Sequence, residues 1–297
     1  MTKAGLGLSE TCAIIVTYNP DIIEFNENVK SIIKQVKEIC IVDNSTLDSL
    51  QKEVMNFQES YSLHVISNKT NLGIAEAQNQ GLEWALDHGF EAFLLLDQDS
   101  KLLDHTTERL LAHHNRLTEK DIKVACIGPL AFNRDKSEEN VYHNYGENNE
   151  MIIEVEQTLS SGSLISREAL VTIGNMESDL FIDLVDYEWC WRAKEKGYST
   201  FIAQDVKLAH RLGDDRINFL GIKIGIPSPV RHYYQFRNTL KLLFRSYVPK
   251  NFKMKYVILL PIKYLVYPLL AKQGYLRFKM INKGIMDAVK GIKGKGL

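Results

Sequence analysis

Four short apolar runs, Cys12–Thr17, Ile39–Asp43, Leu63–Ser67 and Ala92–Leu96, alternate with stretches long enough for a helix, and each run stops at polar residues. Strands alternating with helical segments at this spacing predict a parallel sheet with helices on both faces. Asn19-Pro20 separates the first strand from a helix reaching about Val36, and Ser45 stands where it could cap the next helix. A polar loop, Asn68–Asn71, precedes a helix from about Ile74 to His88. Beyond Asp99 the pattern loosens. A short strand is expected at Val124–Gly128, a long loop or hairpin over Asn133–Asn149, and a strand at Leu164–Ser166 leading into a helix. A long helix follows over Asp183–Lys196, ended by Gly197, then a last strand at Tyr198–Ala203. The expected sheet is mixed and closes near residue 215.

In a parallel sheet the polar strand ends fall along one edge, where open α/β sheets bind ligands. Here those ends are Thr17-Tyr18-Asn19, Asp43-Asn44, Ser67-Asn68 and Asp97-Gln98-Asp99, so one cleft is expected rather than four unrelated turns. Asp97 and Asp99 leave their strand on the same side because strand side chains alternate. Two close carboxylates repel unless a cation lies between them, and their hard oxygens suit Mg²⁺ or Mn²⁺ bridged to a phosphorylated ligand. Asp-x-Asp also occurs in ordinary turns, so the company it keeps decides its meaning. That company includes Asn71-Leu-Gly73-Ile-Ala75-Glu-Ala77-Gln-Asn79-Gln-Gly81 just upstream. In it Gly73 permits an unusual loop backbone, and the alanines let a helix sit tightly on the sheet.

The net charge of −1 conceals a division. Residues 1–205 hold 17 Lys and Arg against 34 Asp and Glu, whereas residues 206–297 hold 19 against 3. Within the basic part, residues 256–271 are apolar but interrupted by Pro261, Lys263 and Pro268, short of the roughly 20 clean residues that span a bilayer. Lys250, Lys253 and Lys255 precede this stretch, and Lys272, Arg277, Lys279 and Lys283 follow it. Such a segment suits a membrane interface carrying anionic headgroups, ranked ahead of a helical subdomain packed on the body and of a nucleic-acid arm, since such arms rarely hold so much Leu, Ile and Val. Two parts are therefore expected, a catalytic domain over residues 1–240 and a helical, membrane-associating tail over residues 241–297. Cys12, Cys40, Cys126 and Cys190 lie far apart, mostly in apolar runs, and read as reduced core residues. Ala13–Val16 is too short for a signal peptide, so the expected location is the cytoplasm, peripheral on the inner face of the cell membrane. Self-association is left open.

Taken together, the motifs resemble glycosyltransferase family 2, inverting enzymes with the A-type nucleotide-sugar fold. The match is carried by Thr17-Tyr18-Asn19, Val42-Asp43-Asn44-Ser45, the Asn71–Gly81 run and Asp97-x-Asp99. Further on it includes Phe181-Ile-Asp183-Leu-Val-Asp186-Tyr-Glu188-Trp-Cys-Trp-Arg192, His210, and the basic-aromatic segment Arg231–Asn238. The resemblance implies a mostly parallel, Rossmann-like sheet flanked by helices, with the basic helical extension added. It implies that Thr17, Tyr18, Asn19, Asp43, Asn71, Asn79 and Asp97 bind the nucleotide, with Asp43 accepting from the N3–H of the base. Asp97, Asp99 and His210 would hold the metal, and Arg231 and Arg237 would face the diphosphate. Asp186 matches the family's base, while Ser161, Gly162, Asp183 and Glu188 would border the donor or acceptor sugar. One position departs from the pattern: Val185 stands where the family usually has Glu before the base.

Asp97-Gln98-Asp99-Ser100 and the Phe181–Arg192 stretch resemble the rhamnosyltransferase branch, which implies a dTDP-L-rhamnose donor and a lipid-linked saccharide acceptor in bacterial surface-polysaccharide synthesis. Two readings compete. Leu94-Leu-Leu-Asp97-Gln-Asp99 also resembles the nucleophile motif of haloacid-dehalogenase-type phosphatases, with Gly213-Asp214-Asp215 as their late acidic motif. Those enzymes, however, place the first Asp at the first strand. The other is a non-catalytic scaffold that retains the fold.

Overall fold

The computed structural model describes residues 5–61, 63–133, 151–210, 215–219 and 222–297. The expected loop over Asn133–Asn149 lies almost wholly outside them, as do Gly213 and Asp214. The chain runs β1 (Thr11–Thr17), α1 (Ile22–Ile32), β2 (Glu38–Asp43), α2 (Asp48–Tyr61), β3 (His64–Ser67), α3 (Ile74–Asp87), β4 (Ala92–Asp97), β5 (Lys101–Leu102) and α4 (Thr106–Thr118). It continues through β6 (Val124–Asn133), β7 (Ile152–Val155), β8 (Leu164–Ser166), α5 (Arg167–Ile173), α6 (Val185–Glu195) and β9 (Ser199–His210). A ribbon, β10 (Asp215–Phe219) and β11 (Ile222–Ile226), leads to α7 (Pro229–Leu243), α8 (Lys250–Leu270) and α9 (Gly274–Val289).

Among the described residues, nine strands form one sheet in the order β3-β2-β1-β4-β8-β6-β9-β5, with β7 added on β9. The four strands from β3 to β4 are parallel, while β8 runs antiparallel to both β4 and β6. The alternation of β1 builds two cores. Ala13 and Ile15 pack with Phe25, Val29 and Phe57 on one face; Cys12 and Ile14 pack with Ala75, Leu82 and Trp189 on the other. All four cysteines are buried and free.

Gly81 shows how closely α3 lies on the sheet, since a Cβ there would stand 2.4 Å from Cγ2 of Ile14 and 3.1 Å from Cγ2 of Val42. Both neighbours are buried and cannot swing away. Gly81→Ala is therefore expected to destabilise the fold by about 2 kcal/mol despite its better helix propensity, read as a lower urea midpoint at unchanged slope.

The last strand of the sheet is longer than expected, and the chain does not end its packing at residue 215. Helices α7, α8 and α9 close on one another through Phe236, Leu260, Val266, Tyr267 and Ile281. A second cluster, Trp191, Leu242, Val248 and Phe252, joins this part to α6. The division expected at residue 240 falls inside α7. Pro261 does not interrupt α8, and among the described residues no helix is long and apolar enough to cross a membrane.

Candidate active site

Strand register assembles the cleft. Thr17 lies opposite Asp43, Asp43 opposite Ser67, and Val16 opposite Asp97, so four strand ends reach the same edge. Against this edge pack the loop before α3, the loop before β8 and the segment entering α6. Together they bound a cleft of about 600 Å³ lined by Thr17, Tyr18, Asn71, Gly73, Gln78, Asp97, Gln98, Ser161, Asp183, Asp186, Arg231 and Tyr256, among others. A second hollow of about 450 Å³ lies on α9, between Tyr275 and Lys290, far from these strand ends.

Behind the lining residues Thr17 and Asn44, Asp43 is buried and held by three donors. Its Oδ1 accepts from Thr17 Oγ1 at 2.8 Å, Ser45 Oγ at 2.6 Å and Ser45 N at 3.1 Å, while Oδ2 has no partner. An unpartnered buried carboxylate oxygen costs free energy and fits a site awaiting an N–H donor. The Ser45 hydroxyl serves Asp43 and the Asn19 backbone, so it does not cap α2 as expected. Asn19 also accepts from Thr46 N at 3.2 Å, and Gln98 accepts from Tyr18 N at 2.7 Å, which ties three strand ends together.

In the middle stands Asp97. Ser100 N donates to the Asp97 carbonyl at 3.1 Å, and the Ser100 and Ser161 hydroxyls meet at 2.6 Å. Asp99 sits in the turn between β4 and β5. Lys101 pairs with Ala209, so the backbone of His210, one residue further along β9, arrives beside that turn; its side chain lies outside the described ones. Gly162, at φ +81, donates from N to Leu95 O at 2.7 Å, and a Cβ there would collide with Pro129 and Leu208. Its role is to carry Ser161 past the strand.

The far wall is the entry to α6. Asp186 accepts from Tyr187 N at 2.9 Å, and its pKa is raised to about 6 by desolvation, with a smaller push from the Asp97 charge. The helix begins at Val185 and not at the expected Asp183, because Phe181, Asp183 and Leu184 have positive φ. What holds this strained segment is α7. Asn238 Nδ2 donates to the carbonyls of Leu180, Ile182 and Asp183 at 2.8–3.0 Å, and Arg237 donates to those of Asp179 and Leu180. Gly73 meets the same loop. Its φ is +89, and a Cβ would stand 2.6 Å from the Phe181 carbonyl oxygen.

Of the expected site residues, Asn19, Asp43, Asp99, Asn79, Arg237, Glu188 and Gly162 do not line the cleft, and the last four build the frame around it. Asn79 is buried against Met176, donating to its carbonyl at 2.9 Å and accepting from its N at 2.8 Å. Arg237 is fully buried, and its guanidinium donates to the Asn238 side chain, the Tyr233 hydroxyl and backbone carbonyls, including Gly294 O at 2.6 Å. Glu188 is fully buried between Arg192 and the Tyr247 hydroxyl, at 2.8 and 2.7 Å. Gly162 shapes its loop as described. Gln78 and Tyr256 are among the lining residues that were not anticipated. Gln78, whose buried Oε1 has no partner, shares a helix face with Ile74 at i, i+4 spacing, a periodicity that would have favoured it over Asn79. Tyr256 comes from the tail, and nothing in the local sequence points it inward.

This fold, a mixed sheet whose first four strands run parallel, with a carboxylate pair at its ligand-binding edge, is that of A-type glycosyltransferases. The Glycosyl transferase family 2 profile matches residues 12–172. The chain is 32% identical, over 97% of its length and 98% of the relative's, to the dTDP-rhamnosyl transferase RfbF of Shigella flexneri. The chain belongs to glycosyltransferase family 2 and is a glycosyltransferase. Among solved structures, S. aureus TarS residues 1–349 in complex with UDP-GlcNAc superposes with a TM-score of 0.59 at 16% identity, covering 94% of this chain and 81% of that one. GalNAc-T7 with UDP, GalNAc and Mn²⁺ also gives 0.59, at 14% identity, covering 98% of this chain, which spans only 57% of that enzyme. These likenesses concern the fold. Family membership removes the phosphatase reading, whose first Asp belongs on the first strand and here ends the fourth.

Proposed function

We propose that the protein is an inverting rhamnosyltransferase. It moves L-rhamnose from dTDP-L-rhamnose to a lipid-linked saccharide acceptor at the cytoplasmic membrane surface, in bacterial cell-surface polysaccharide synthesis. The relative from Shigella supports the donor. The observation that carries the reading is the meeting of Asp97 and Asp186 across one cleft, close enough for one charge to act on the other, with Asp43 buried behind the lining residues Thr17 and Asn44.

Asp97 and Asp99 fit a divalent cation by donor chemistry, two hard carboxylates on one turn, with His210 as the further candidate ligand. Among the described residues no three His, Cys, Asp or Glu side chains gather, and the His210 side chain lies outside them. When bound, Mg²⁺ or Mn²⁺ would neutralise charge growing on the leaving nucleoside diphosphate. The chain's own residues do the rest. Asp43 accepts from the base, with Thr17, Tyr18, Asn19 and Asn71 around the nucleoside. Arg231 adds positive charge on the leaving side. Asp186 takes the proton of the attacking acceptor hydroxyl, while Ser161 and Asp183 border the sugar.

The tail supports membrane contact. Met254, Val257, Ile258, Leu265 and Leu269 of α8 are all at least 60% exposed, among lysines. The purified chain with labelled dTDP-rhamnose, Mn²⁺ and membrane lipid acceptors is expected to transfer label, and EDTA to abolish transfer. Calorimetry showing no Mn²⁺-assisted dTDP binding would sink the proposal.

A further inference from the structure

Residues 290–297 read Lys-Gly-Ile-Lys-Gly-Lys-Gly-Leu, a composition expected of a solvated basic segment. The fold instead lays residues 291–297 as a strap across α7 and the loop 179–183. The Ile292 carbonyl accepts from Lys241 Nζ at 2.6 Å, and that of Gly296 from Lys283 Nζ at 2.8 Å. Between them Gly294 bonds in both directions. Its N donates to Asp179 O at 2.9 Å, and its carbonyl accepts from Arg237 Nη1 at 2.6 Å. Lys293 Nζ meets the Asp179 carboxylate at 2.7 Å. Gly294 has φ +64, with open space where a Cβ would stand, whereas at Gly296, φ +60, a Cβ would come within 2.0 Å of the Tyr233 hydroxyl oxygen.

One side chain separates the strap from the cleft, which the strap itself does not line. The Tyr234 hydroxyl donates to Lys295 O at 2.5 Å, and its ring stacks on that of Phe181, with centroids 4.9 Å apart and planes 12° from parallel. Phe181 lines the cleft, and its carbonyl accepts from Ile74 N, at the start of α3, at 2.8 Å. Asp186 stands five residues further along. Because Phe181, Asp183 and Leu184 hold positive φ, this wall would relax into commoner backbone conformations unless held from behind. Arg237 and Asn238 hold it from α7, and the strap in turn fixes Arg237 through Gly294 and Tyr234 through Lys295.

We propose that residues 291–297 are a positioning strap for the catalytic wall: through Gly294 and Tyr234 they hold segment 179–186 at the distance from the strand ends at which an acceptor hydroxyl reaches Asp186. This rests on the base role proposed above for Asp186. The nucleoside end is outside the strap's reach, since Asp43 is held by Thr17 and Ser45. The strap therefore acts on turnover and not on nucleotide affinity.

The full chain carrying Gly294→Val tests this, because valine fits the open space but not the backbone angle, and Gly294→Asn is its conservative counterpart, since asparagine tolerates that region. Gly294→Val is expected to lower kcat at least about tenfold at unchanged dTDP affinity. Amide hydrogen exchange should quicken over residues 179–188 and stay as it was over β1 and β2. Gly294→Asn should keep kcat within about threefold of wild type. Tyr234→Phe keeps the stack on Phe181 but loses the bond to Lys295, so it should add little to the loss caused by Gly294→Val, both acting through one strap. Wild-type kcat and exchange in Gly294→Val would overturn the proposal. So would an equal loss in Gly294→Asn, full additivity of the pair, or a fall in dTDP affinity alongside kcat, which marks general loss of the fold. Wild-type protein that transfers no rhamnose, while Gly294→Val shows the localised change in exchange, would sink the rhamnosyltransferase reading and leave the strap standing.

Discussion

Replacing Asp186 by Asn is expected to abolish sugar transfer, by at least about a thousandfold in kcat, and at the same time to make the protein more stable at neutral pH. The activity loss follows from the assigned role, since the amide cannot take the acceptor proton at any pH. The gain in stability follows from the raised pKa. Desolvation lifts the carboxyl to about 6 against an ordinary 3.8, so the folded state binds the proton more tightly than the unfolded chain does. Ionising Asp186 therefore costs stability, and the cost grows as pH rises from about 4 to 6 and stays constant above. Asn removes that cost. The gain should be about 1–2 kcal/mol at pH 7.5, discounted for the residue's partial exposure, and should vanish below about pH 4. In the wild type, kcat/KM should fall tenfold per unit below about pH 6, as the base becomes protonated. Equal transfer by wild type and variant would remove Asp186 from the role of base. Loss of activity without any stability gain would show that the carboxylate is better solvated than its position between Asp97 and the Ser160 backbone implies.

The parts legible beforehand were those that follow from local pattern. Short continuous apolar runs ending in polar residues marked β1 to β4, and chain direction then placed Thr17, Asp43 and Asp97 on one edge, because parallel strands end together. What was not legible depends on where helices far along the chain return. Asn79 and Arg237 belong to family-like motifs and are polar, which made them natural ligand candidates; in three dimensions they spend their donors on loop carbonyls at Met176, Asp179 and Leu180. Glu188 looked like a helix-start carboxylate near the sugar. It is instead held by Arg192 one turn on and by Tyr247, which lies 59 residues away. A buried polar side chain that satisfies a strained loop and one that binds a ligand carry the same signature in sequence, since both need a polar group where an apolar one would otherwise pack. Tyr256 was hidden for the converse reason. Its helix reads as a surface segment, and only tertiary packing turns one of its edges into the cleft.

That packing leads to the second large effect. A chain ended after residue 240, where the tail was expected to begin, should fail to give a stable transferase domain. The cut would remove Leu242, Val248 and Phe252 from around Trp191, which is 1% exposed in the intact protein. It would also remove Tyr247 from Glu188 and Gly294 from Arg237, leaving a buried carboxylate and a buried guanidinium each short of a partner. Breaking one such buried charge contact typically costs about 3–5 kcal/mol, a large part of the 5–15 kcal/mol that stabilises an ordinary domain. The loop 179–183 would lose its brace in the same cut, since Asn238 and Arg237 sit in the last turns of a shortened α7. The full chain carrying Arg237→Ala isolates that contribution. It is expected to lose about 3–4 kcal/mol in urea titration and to lose kcat more than dTDP affinity, because the nucleoside end at Asp43 is braced by β1 and β2 and not by α7. Recovery of wild-type kcat and stability by the chain ending at residue 240 would show that the tail is an appendage; loss of both shows that it completes the active site.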